Sequence, residues 1–357
     1  MTILNYIFSM SIAGSLVFLL FLLIERITKQ SFSALWHYRI LKIILIFYII
    51  PIGNIIDILF GKPFKALIGQ ESIIGSNYFK LTGNHVNENT LLYRGILLIW
   101  IFGIAAFLIW QVFCYIKFRY IIVSDKKIVN SRVCEIAELC AKKFGIKKQV
   151  QIYVNENINT PMLIGFISPI ILLPSDEMKT MNIEYILSHE LIHYKKKDMI
   201  IKLFVLLIRI LYWFNPFLYL YSVELDKWCE YACDEMSTKK LSHDKRRQYG
   251  LAILEAAAVM PVYSSNFGTP FLNAKQNLNK RLMFMLDAKT AKNTRIVLSL
   301  VIAIAFVSLG ASIACMGEVL TSSNQQEKSI GSRNREITYQ DIVSSGGLHN
   351  ISDEDSK

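Results

Sequence analysis

Two histidines four residues apart, His189 and His193, are the residues of this chain whose spacing has the clearest chemical meaning. On an α-helix this spacing places both imidazoles on one face, one turn apart, where they can bind a single ion. Glu190 lies beside them and would act as the general base that takes a proton from water. The pattern predicts a metallopeptidase with one Zn²⁺ per chain. The alternative is a solvated helix face, since the lysines 195–197 follow directly.

A catalytic zinc site needs a third protein ligand and one open position. The best candidate is Glu230, in the segment Glu-Tyr-Ala-Cys-Asp, with Glu224 and Glu235 as competitors. Asp234 lies one helical turn further along and could accept a hydrogen bond from the second ring nitrogen of a ligand histidine. Asp198 is the second candidate for that role. We therefore predict the ligands His189, His193 and Glu230, with a supporting carboxylate behind them.

These residues lie in a chain whose apolar segments are long. Hydrophobic residues make up 53% of the sequence, the mean hydropathy is +0.37, and a run of about 18 apolar residues can cross a bilayer. Four runs qualify, at residues 3–24, roughly 41–60, roughly 95–116 and roughly 296–315. The fold class predicted is a membrane protein, mainly α-helical, with about four transmembrane helices.

Basic residues orient these spans, because cytoplasmic loops carry an excess of lysine and arginine. Arg26 and Lys29 follow the first run, and basic clusters follow the third run and precede the last. We expect an N-terminal membrane region at 1–122 with three spans and an extracytoplasmic loop at about 61–94. A cytoplasmic catalytic domain at 123–295, a last span at 296–316 and a disordered outer tail at 317–357 would follow. Both termini would then lie outside.

The net charge of +11 fits contact with anionic membrane lipid. The basic residues follow the ends of apolar runs, and no nucleic-acid-binding pattern is present, so direct binding to nucleic acid is not expected.

A fifth apolar run, 199–221, lies between the predicted ligands. A straight span there would separate His193 from Glu230 by about 30 Å. The segment must therefore re-enter, lie in the interface, or pack as a buried helix. Asn215-Pro216 supplies the break, since proline ends the helical hydrogen-bond ladder.

The remaining patterns predict an α+β region ahead of this segment. Strands are expected at 150–154, 162–165 and 169–173, after an amphipathic helix at 131–144. The thiols of Cys229 and Cys233, four residues apart, are interpreted as small buried groups, because no second pair completes a cysteine zinc site.

Four motifs, in order, resemble the antirepressor metallopeptidases of the BlaR/MecR type. They are the segment from Thr160-Pro161 to Pro174, the segment 189–198, Tyr-Trp-Phe-Asn-Pro at 212–216, and Glu-Tyr-Ala-Cys-Asp at 230–234. The resemblance covers roughly residues 1–315. It implies a gluzincin-like α+β zinc protease domain facing the cytoplasm of a bacterial-type cell, with the ligands and base named above. It also implies that an edge strand holds the substrate in extended form, at Met162, Leu163, Ile164 and Gly165.

The same resemblance implies cleavage of a cytoplasmic winged-helix repressor of the BlaI/MecI type, induction of antibiotic-resistance genes, and self-cleavage. The well-known members carry a penicillin-binding domain after the last span, and no Ser-x-x-Lys module follows here. We therefore expect the signal to enter through the 61–94 loop, the tail or a separate sensor partner. A homodimer is the other assembly that we consider. Basic pairs such as Lys280-Arg281 are interpreted as exposed topology signals rather than as cleavage sites.

Two other functions compete with this one. One is a membrane quality-control protease of the HtpX type, and the other is a non-enzymatic membrane sensor that keeps the zinc fold. The long insert between His193 and Glu230 favours the regulatory protease over the first. The intact Glu190 argues against the second.

Overall fold

The computed structural model describes residues 3–29, 31–50, 91–124, 127–158, 160–165, 168–174, 180–258 and 281–285. Most of the predicted 61–94 loop, the last span at 296–316 and the tail at 317–357 lie outside this part of the chain. The described helices and strands are, in chain order, α1 Ile3–Thr28, α2 Ala34–Ile49, α3 Leu91–Ser124, β1 Lys127–Ile128, α4 Ser131–Lys143, β2 Gln151–Val154, β3 Met162–Ile164, β4 Ile170–Leu173, α5 Thr180–Lys196, α6 Asp198–Leu211, α7 Pro216–Thr238, α8 His243–Ala258, and α9 at 281–285.

Two of the helices are long and apolar enough to cross a membrane. They are Tyr6–Thr28, with a mean hydropathy of 2.6, and Arg94–Tyr120, with 2.5. The second of these exposes large apolar side chains along its length, including Leu98, Phe102 and Ile109. The predicted first span falls within α1 and the predicted third span falls within Arg94–Tyr120. Both features are those of a membrane protein.

Two of the helices extend beyond the boundaries of the predicted membrane segments. α2 begins at Ala34, ahead of the predicted start near residue 41, because Ser33 caps it by accepting a hydrogen bond from the backbone N–H of Trp36. α3 begins at Leu91, so the last residues of the predicted 61–94 loop are helical. The part of the second predicted span beyond residue 50 lies outside the described residues.

The apolar segment 199–221 is a helical hairpin. α6 ends at Leu211 and α7 begins at Pro216, with Asn215 as its N-cap accepting from the backbone N–H of Phe217. Proline suits the first helical position, since the N–H that it lacks has no partner there. Lys202 of α6 and Asp226 of α7 lie 3.2 Å apart, Nζ to Oδ1. The two helices therefore run side by side and return the chain to the end where it entered.

The tip of this hairpin packs deep against α1 and α2. The Asn215 side-chain amide donates to the hydroxyls of Ser11 (2.8 Å) and Ser15 (2.9 Å), and the Tyr212 hydroxyl donates to the Tyr48 carbonyl (3.1 Å). At 1.5 Å per residue, the 14 residues of α6 carry the chain about 21 Å from its start at Asp198. One apolar core joins α1, α2, α6 and α7.

The four strands form one sheet in the order β1-β2-β4-β3. β2 and β4 are parallel, whereas β1 pairs with β2 and β3 pairs with β4 in antiparallel register. The three predicted strands are present, each one residue shorter than expected. One sheet face packs on α4 and α5 through a core that includes Val133, Ile171 and Leu187. This packing fixes which face of α5 is left for chemistry.

Candidate metal centre

α5 buries its apolar side against the sheet and turns its polar side towards α7. Leu187 and Leu191 belong to the core shared with the sheet. On the other side, His189, Glu190 and His193 are only 5%, 8% and 8% exposed. The Nε2 atoms of the two histidines lie 3.2 Å apart. The predicted spacing therefore does bring both imidazoles to one point.

The third donor at this point comes from α7. The Glu230 carboxylate places Oε2 3.3 Å from His189 Nε2 and Oε1 3.5 Å from His193 Nε2. A tetrahedral zinc ion with bonds of about 2.0–2.1 Å requires ligand atoms about 3.3 Å apart. The three distances match this spacing, and two imidazoles with one carboxylate form a donor set that zinc accepts in catalytic sites. These residues fit a zinc ion.

The competing glutamates of α7 lie elsewhere. Glu224 pairs with Lys227, and the Glu235 carboxylate accepts a hydrogen bond from the Leu35 backbone N–H at 3.1 Å. Glu235 thus caps the first turn of α2. Of the three glutamates considered from the sequence, the structure brings only Glu230 to the histidines.

Each histidine has its own supporting carboxylate on Nδ1. For His193 this is Asp198, whose Oδ2 lies 2.8 Å away. Lys197 makes the contact possible, because its left-handed φ of 58° separates α5 from α6 by one residue and turns Asp198 back towards the helix that it follows. The Tyr38 hydroxyl donates to the other oxygen of Asp198 at 2.6 Å. An Nδ1–H bound to the carboxylate leaves the Nε2 lone pair free for a metal.

For His189 the supporting carboxylate is Asp234, with Oδ1 3.2 Å from Nδ1. The Tyr249 hydroxyl lies 2.9 Å from the same nitrogen and donates to Asp234 Oδ1 at 2.9 Å. Arg281 donates to both oxygens of Asp234, from Nε at 2.8 Å and from Nη2 at 2.9 Å. The two carboxylates that the sequence offered as alternatives are therefore both used, one for each histidine.

The charges in this centre reinforce one another. Burial opposes ionisation of Glu230, but the Arg281 guanidinium and the two histidines outweigh it and hold its pKa well below the ordinary value. Burial likewise opposes ionisation of Asp234, and Arg281 and His189 again lower its pKa. The pKa of His193 is raised, because the charge of Glu230 and the hydrogen bond to Asp198 outweigh its burial. The ionised forms of Glu230 and Asp234 are therefore favoured beside the two imidazoles.

A second group of possible ligands, His193, Asp198 and Cys229, lies behind the first. This group already contains a cation, since the Lys196 ammonium lies 3.2 Å from Asp198 Oδ2 and 3.2 Å from Cys233 Sγ. The Cys229 thiol donates to Asp198 Oδ2 at 3.1 Å. Cys229 and Cys233 are buried as expected, and Cys229 belongs to the apolar core, but both thiols also contact charged groups. The first group is therefore the better metal site.

The four residues predicted to hold substrate lie at the sheet edge beside α5. Met162, Leu163 and Ile164 form β3, which pairs with β4 on one side and is the terminal strand of the described sheet. β3 also packs against α5. Gly165 follows with φ of 90°, and a Cβ there would lie 2.7 Å from the Ser168 carbonyl oxygen. Only glycine fits this turn away from the strand.

Three residues of the centre were not found from the sequence: Tyr38, Tyr249 and Arg281. The interpretation of Lys280-Arg281 as an exposed pair is wrong for Arg281, whose side chain is 17% exposed and bound to Asp234 and Glu230. A weak signal was available, because Arg281 is followed by Leu, Met, Phe and Met, and an arginine that such an apolar run buries needs a charged partner.

Known proteins are similar to this chain over most of its length. The model of the family described as BlaR1 peptidase M56 matches residues 5–285. The methicillin resistance mecR1 protein of Staphylococcus aureus is 29% identical over 272 residues, which cover 73% of this chain and 44% of that protein. The regulatory protein BlaR1 of Bacillus licheniformis is 25% identical over 305 residues, which cover 78% of this chain and 50% of that protein. The chain thus spans about half the length of these relatives.

Proposed function

This chain belongs to the BlaR1 peptidase M56 family, as its motifs predicted, and from this premise we propose that it is a membrane-embedded zinc metallopeptidase acting in signal transduction. Its proposed substrate is a cytoplasmic winged-helix repressor of the BlaI/MecI type, whose cleavage induces antibiotic-resistance genes. The relatives support this role, since their names describe methicillin resistance and a regulatory protein.

The observation that carries the proposal is the convergence of three donor atoms from two helices. His189, His193 and Glu230 meet within about the edge length of a zinc tetrahedron, and Glu190 lies next to His189 in the same buried helix. When bound, zinc supplies a Lewis acid that polarises the scissile carbonyl and activates water. Three protein ligands leave a fourth position open for this chemistry.

The chain's own residues perform the remaining tasks. Glu190 takes a proton from the attacking water and returns it to the leaving amine. Asp198 and Asp234 hold the two imidazoles in the tautomer that presents Nε2. β3 offers its unpaired edge to an extended substrate segment, which would add to the described sheet as a strand beside α5.

We place the catalytic centre at the cytoplasmic membrane face. Arg26 and Lys29 stand at the end of α1 where Tyr38 and the metal ligands lie, and cytoplasmic segments favour basic residues. The hairpin of α6 and α7 would enter the bilayer from this face and return to it. The polar side chain of Asn215 at the hairpin tip can lie within the hydrocarbon region of the bilayer, because its amide is hydrogen-bonded to α1. The exposed apolar side chains of α3 would contact lipid.

Cleavage is tested by co-expressing the chain with a winged-helix repressor of the BlaI/MecI type and following the repressor's size. Glu190→Gln should abolish cleavage, because it removes the base, while zinc content stays at one per chain. Glu184→Gln, an exposed change on the same helix, is the matched control and should cleave as the wild type does. Undiminished cleavage by Glu190→Gln would refute the mechanism.

Ligation is tested separately by measuring zinc in purified variants. Glu230→Ala should lose most of the zinc at micromolar metal, because one of three protein ligands is gone. Glu224→Ala is the control on the same helix and should keep it. Full retention of zinc by Glu230→Ala would show that the third ligand lies elsewhere.

A further inference from the structure

Arg281 makes three charge-assisted contacts at the metal centre. Two parallel hydrogen bonds join Nε and Nη2 to the carboxylate of Asp234, at 2.8 and 2.9 Å. The remaining nitrogen, Nη1, lies 3.1 Å from Glu230 Oε2. A planar guanidinium offers its donors in a fixed fork, so all three contacts are set once the side chain is placed. Arg281 thus fixes the two acidic residues of α7 relative to each other.

The placement of this fork is itself determined by packing. Phe284, one turn after Arg281, stacks on the Tyr231 ring with centroids 5.0 Å apart and meets the Trp228 ring edge-on at 5.9 Å. Met285 is 4% exposed. α9 is therefore held against α7 by apolar contacts that are independent of any metal.

Glu230 is the ligand that most needs such support. Its side chain is 28% exposed, against 6% and 10% for the two histidines, and no backbone constraint fixes its carboxylate. Asp234 lies one turn away, so the two negative charges repel unless a cation stands between them. A guanidinium bonded to both oxygens of Asp234 and to one oxygen of Glu230 supplies that cation.

We propose that Arg281 is a positioning residue for the metal centre, which orients Glu230 towards the ion and holds Asp234 on His189. This inference rests on the proposed function and deepens it. It makes α9 part of the catalytic unit, although it is separated from Asp234 by 47 residues of sequence.

A purely electrostatic role for Arg281 would have the opposite sign. A positive charge beside the ligands repels a divalent cation, so its removal alone would tighten zinc binding. Positioning predicts weaker binding instead, and it predicts this even for Arg281→Lys, which keeps the charge and loses the fork. The two roles can therefore be separated by the direction of one measurement.

The experiment uses the full chain purified in detergent, with zinc affinity measured by competition with a chromophoric chelator. Arg281→Lys and Arg281→Gln should both weaken zinc binding by about 10- to 100-fold, the usual effect of losing an outer partner of a metal ligand. With Co²⁺ in place of zinc, the visible absorption of both variants should change in intensity, because the ligand geometry changes. Arg247→Lys and Arg247→Gln, at an exposed arginine of α8, are the controls. Wild-type affinity in Arg281→Lys, together with tighter binding in Arg281→Gln, would overturn the proposal.

A double-mutant cycle gives a second test that does not depend on one variant. Asp234→Asn removes the charged partner of the fork with little change in shape. If Arg281 acts through Asp234 and Glu230, adding Arg281→Lys to Asp234→Asn should weaken zinc binding less than Arg281→Lys does alone. Fully additive effects would refute the inference. Absence of zinc binding by the wild type would instead refute the proposed function.

Discussion

Gly103 is the position in α3 where an added methyl group should disturb the packing of α3 against Trp213, at the tip of the hairpin formed by α6 and α7. A Cβ on Gly103 would lie within 3.0 Å of three ring atoms of Trp213, whereas non-bonded carbons pack at about 3.5–4.0 Å. Gly103→Ala must therefore displace the indole, at a cost of about 1–3 kcal/mol for overpacking. The displaced ring also loses its hydrogen bond from Nε1 to the Trp100 carbonyl, 3.3 Å long, which is worth about 0.5–1.5 kcal/mol.

The matched control is Gly95→Ala on the same helix, where an added Cβ meets nothing within 4 Å. Both variants gain the same helical preference of alanine over glycine, about 0.5–1 kcal/mol, so this contribution cancels between them. Gly103→Ala should thus be less stable than Gly95→Ala by about 1.5–4.5 kcal/mol. Unfolding of the purified chain by denaturing detergent in mixed micelles measures this difference. Equal stability of the two variants would refute the reasoning that Trp213 packs on the backbone of α3.

Two further predictions follow from single contacts, and a third follows from metal binding. Tyr38→Phe removes the 2.6 Å donor to Asp198 and should lower the free energy of unfolding by about 1.5–3 kcal/mol. It should also weaken zinc binding several-fold; unchanged stability and affinity would contradict the role assigned to this hydroxyl. Asn215→Ala removes the cap of α7 and the donors to Ser11 and Ser15, so denaturant unfolding should show a loss of at least about 1–2 kcal/mol, and a smaller loss would contradict it. Chelation of zinc should lower the unfolding free energy by about 2.7 kcal/mol relative to protein in free zinc at 100 times Kd, and Glu230→Ala should show no such difference.

The parts of the site that could be predicted are those set by local spacing. His189 and His193 share a face because a helix repeats every 3.6 residues, and the turn at Asn215-Pro216 follows from the chemistry of two adjacent residues. The strand at 169–173 was also readable locally, since Pro169 and Pro174 delimit a short apolar segment, and the strand at 150–154 was readable because a polar turn follows it.

The choice among the glutamates of α7 could not be settled at this level. Glu224, Glu230 and Glu235 all lie on one helix, and spacing alone does not tell which face meets α5. In the structure, two small side chains lie on the face of α7 that packs against α5. Cys229 and Cys233 contact the Nδ1 side of His193 at 3.7 and 3.3 Å, and they allow α7 to approach close enough for Glu230 to reach both histidines. The interpretation of these cysteines as small buried groups was therefore correct about size and incomplete about what they touch.

The residues that could not be predicted from the sequence have partners far away in the chain and belong to no local motif. Tyr38 reaches Asp198 across 160 residues, and Arg281 reaches Asp234 across 47. Neither has a local pattern that demands a partner. A tyrosine in an apolar helix and an arginine after a lysine both have ordinary explanations at a membrane boundary.

The balance of charge explains why such distant partners are needed. The buried carboxylates of Asp198 and Asp234, with the partly buried carboxylate of Glu230 beside them, would be strongly destabilising without cations, since each buried charge must be paired and hydrogen-bonded. Lys196 provides the cation for Asp198 at 3.2 Å, and Arg281 provides it for Asp234 through two hydrogen bonds. Glu230 receives only the third nitrogen of Arg281 and keeps its other oxygen towards His193. The two supporting carboxylates are thus neutralised by permanent cations, and the carboxylate whose charge is least compensated is that of the proposed metal ligand, Glu230. If the proposed function is correct, this distribution directs an incoming zinc ion to the side of the histidines that faces Glu230 and away from the thiols of Cys229 and Cys233.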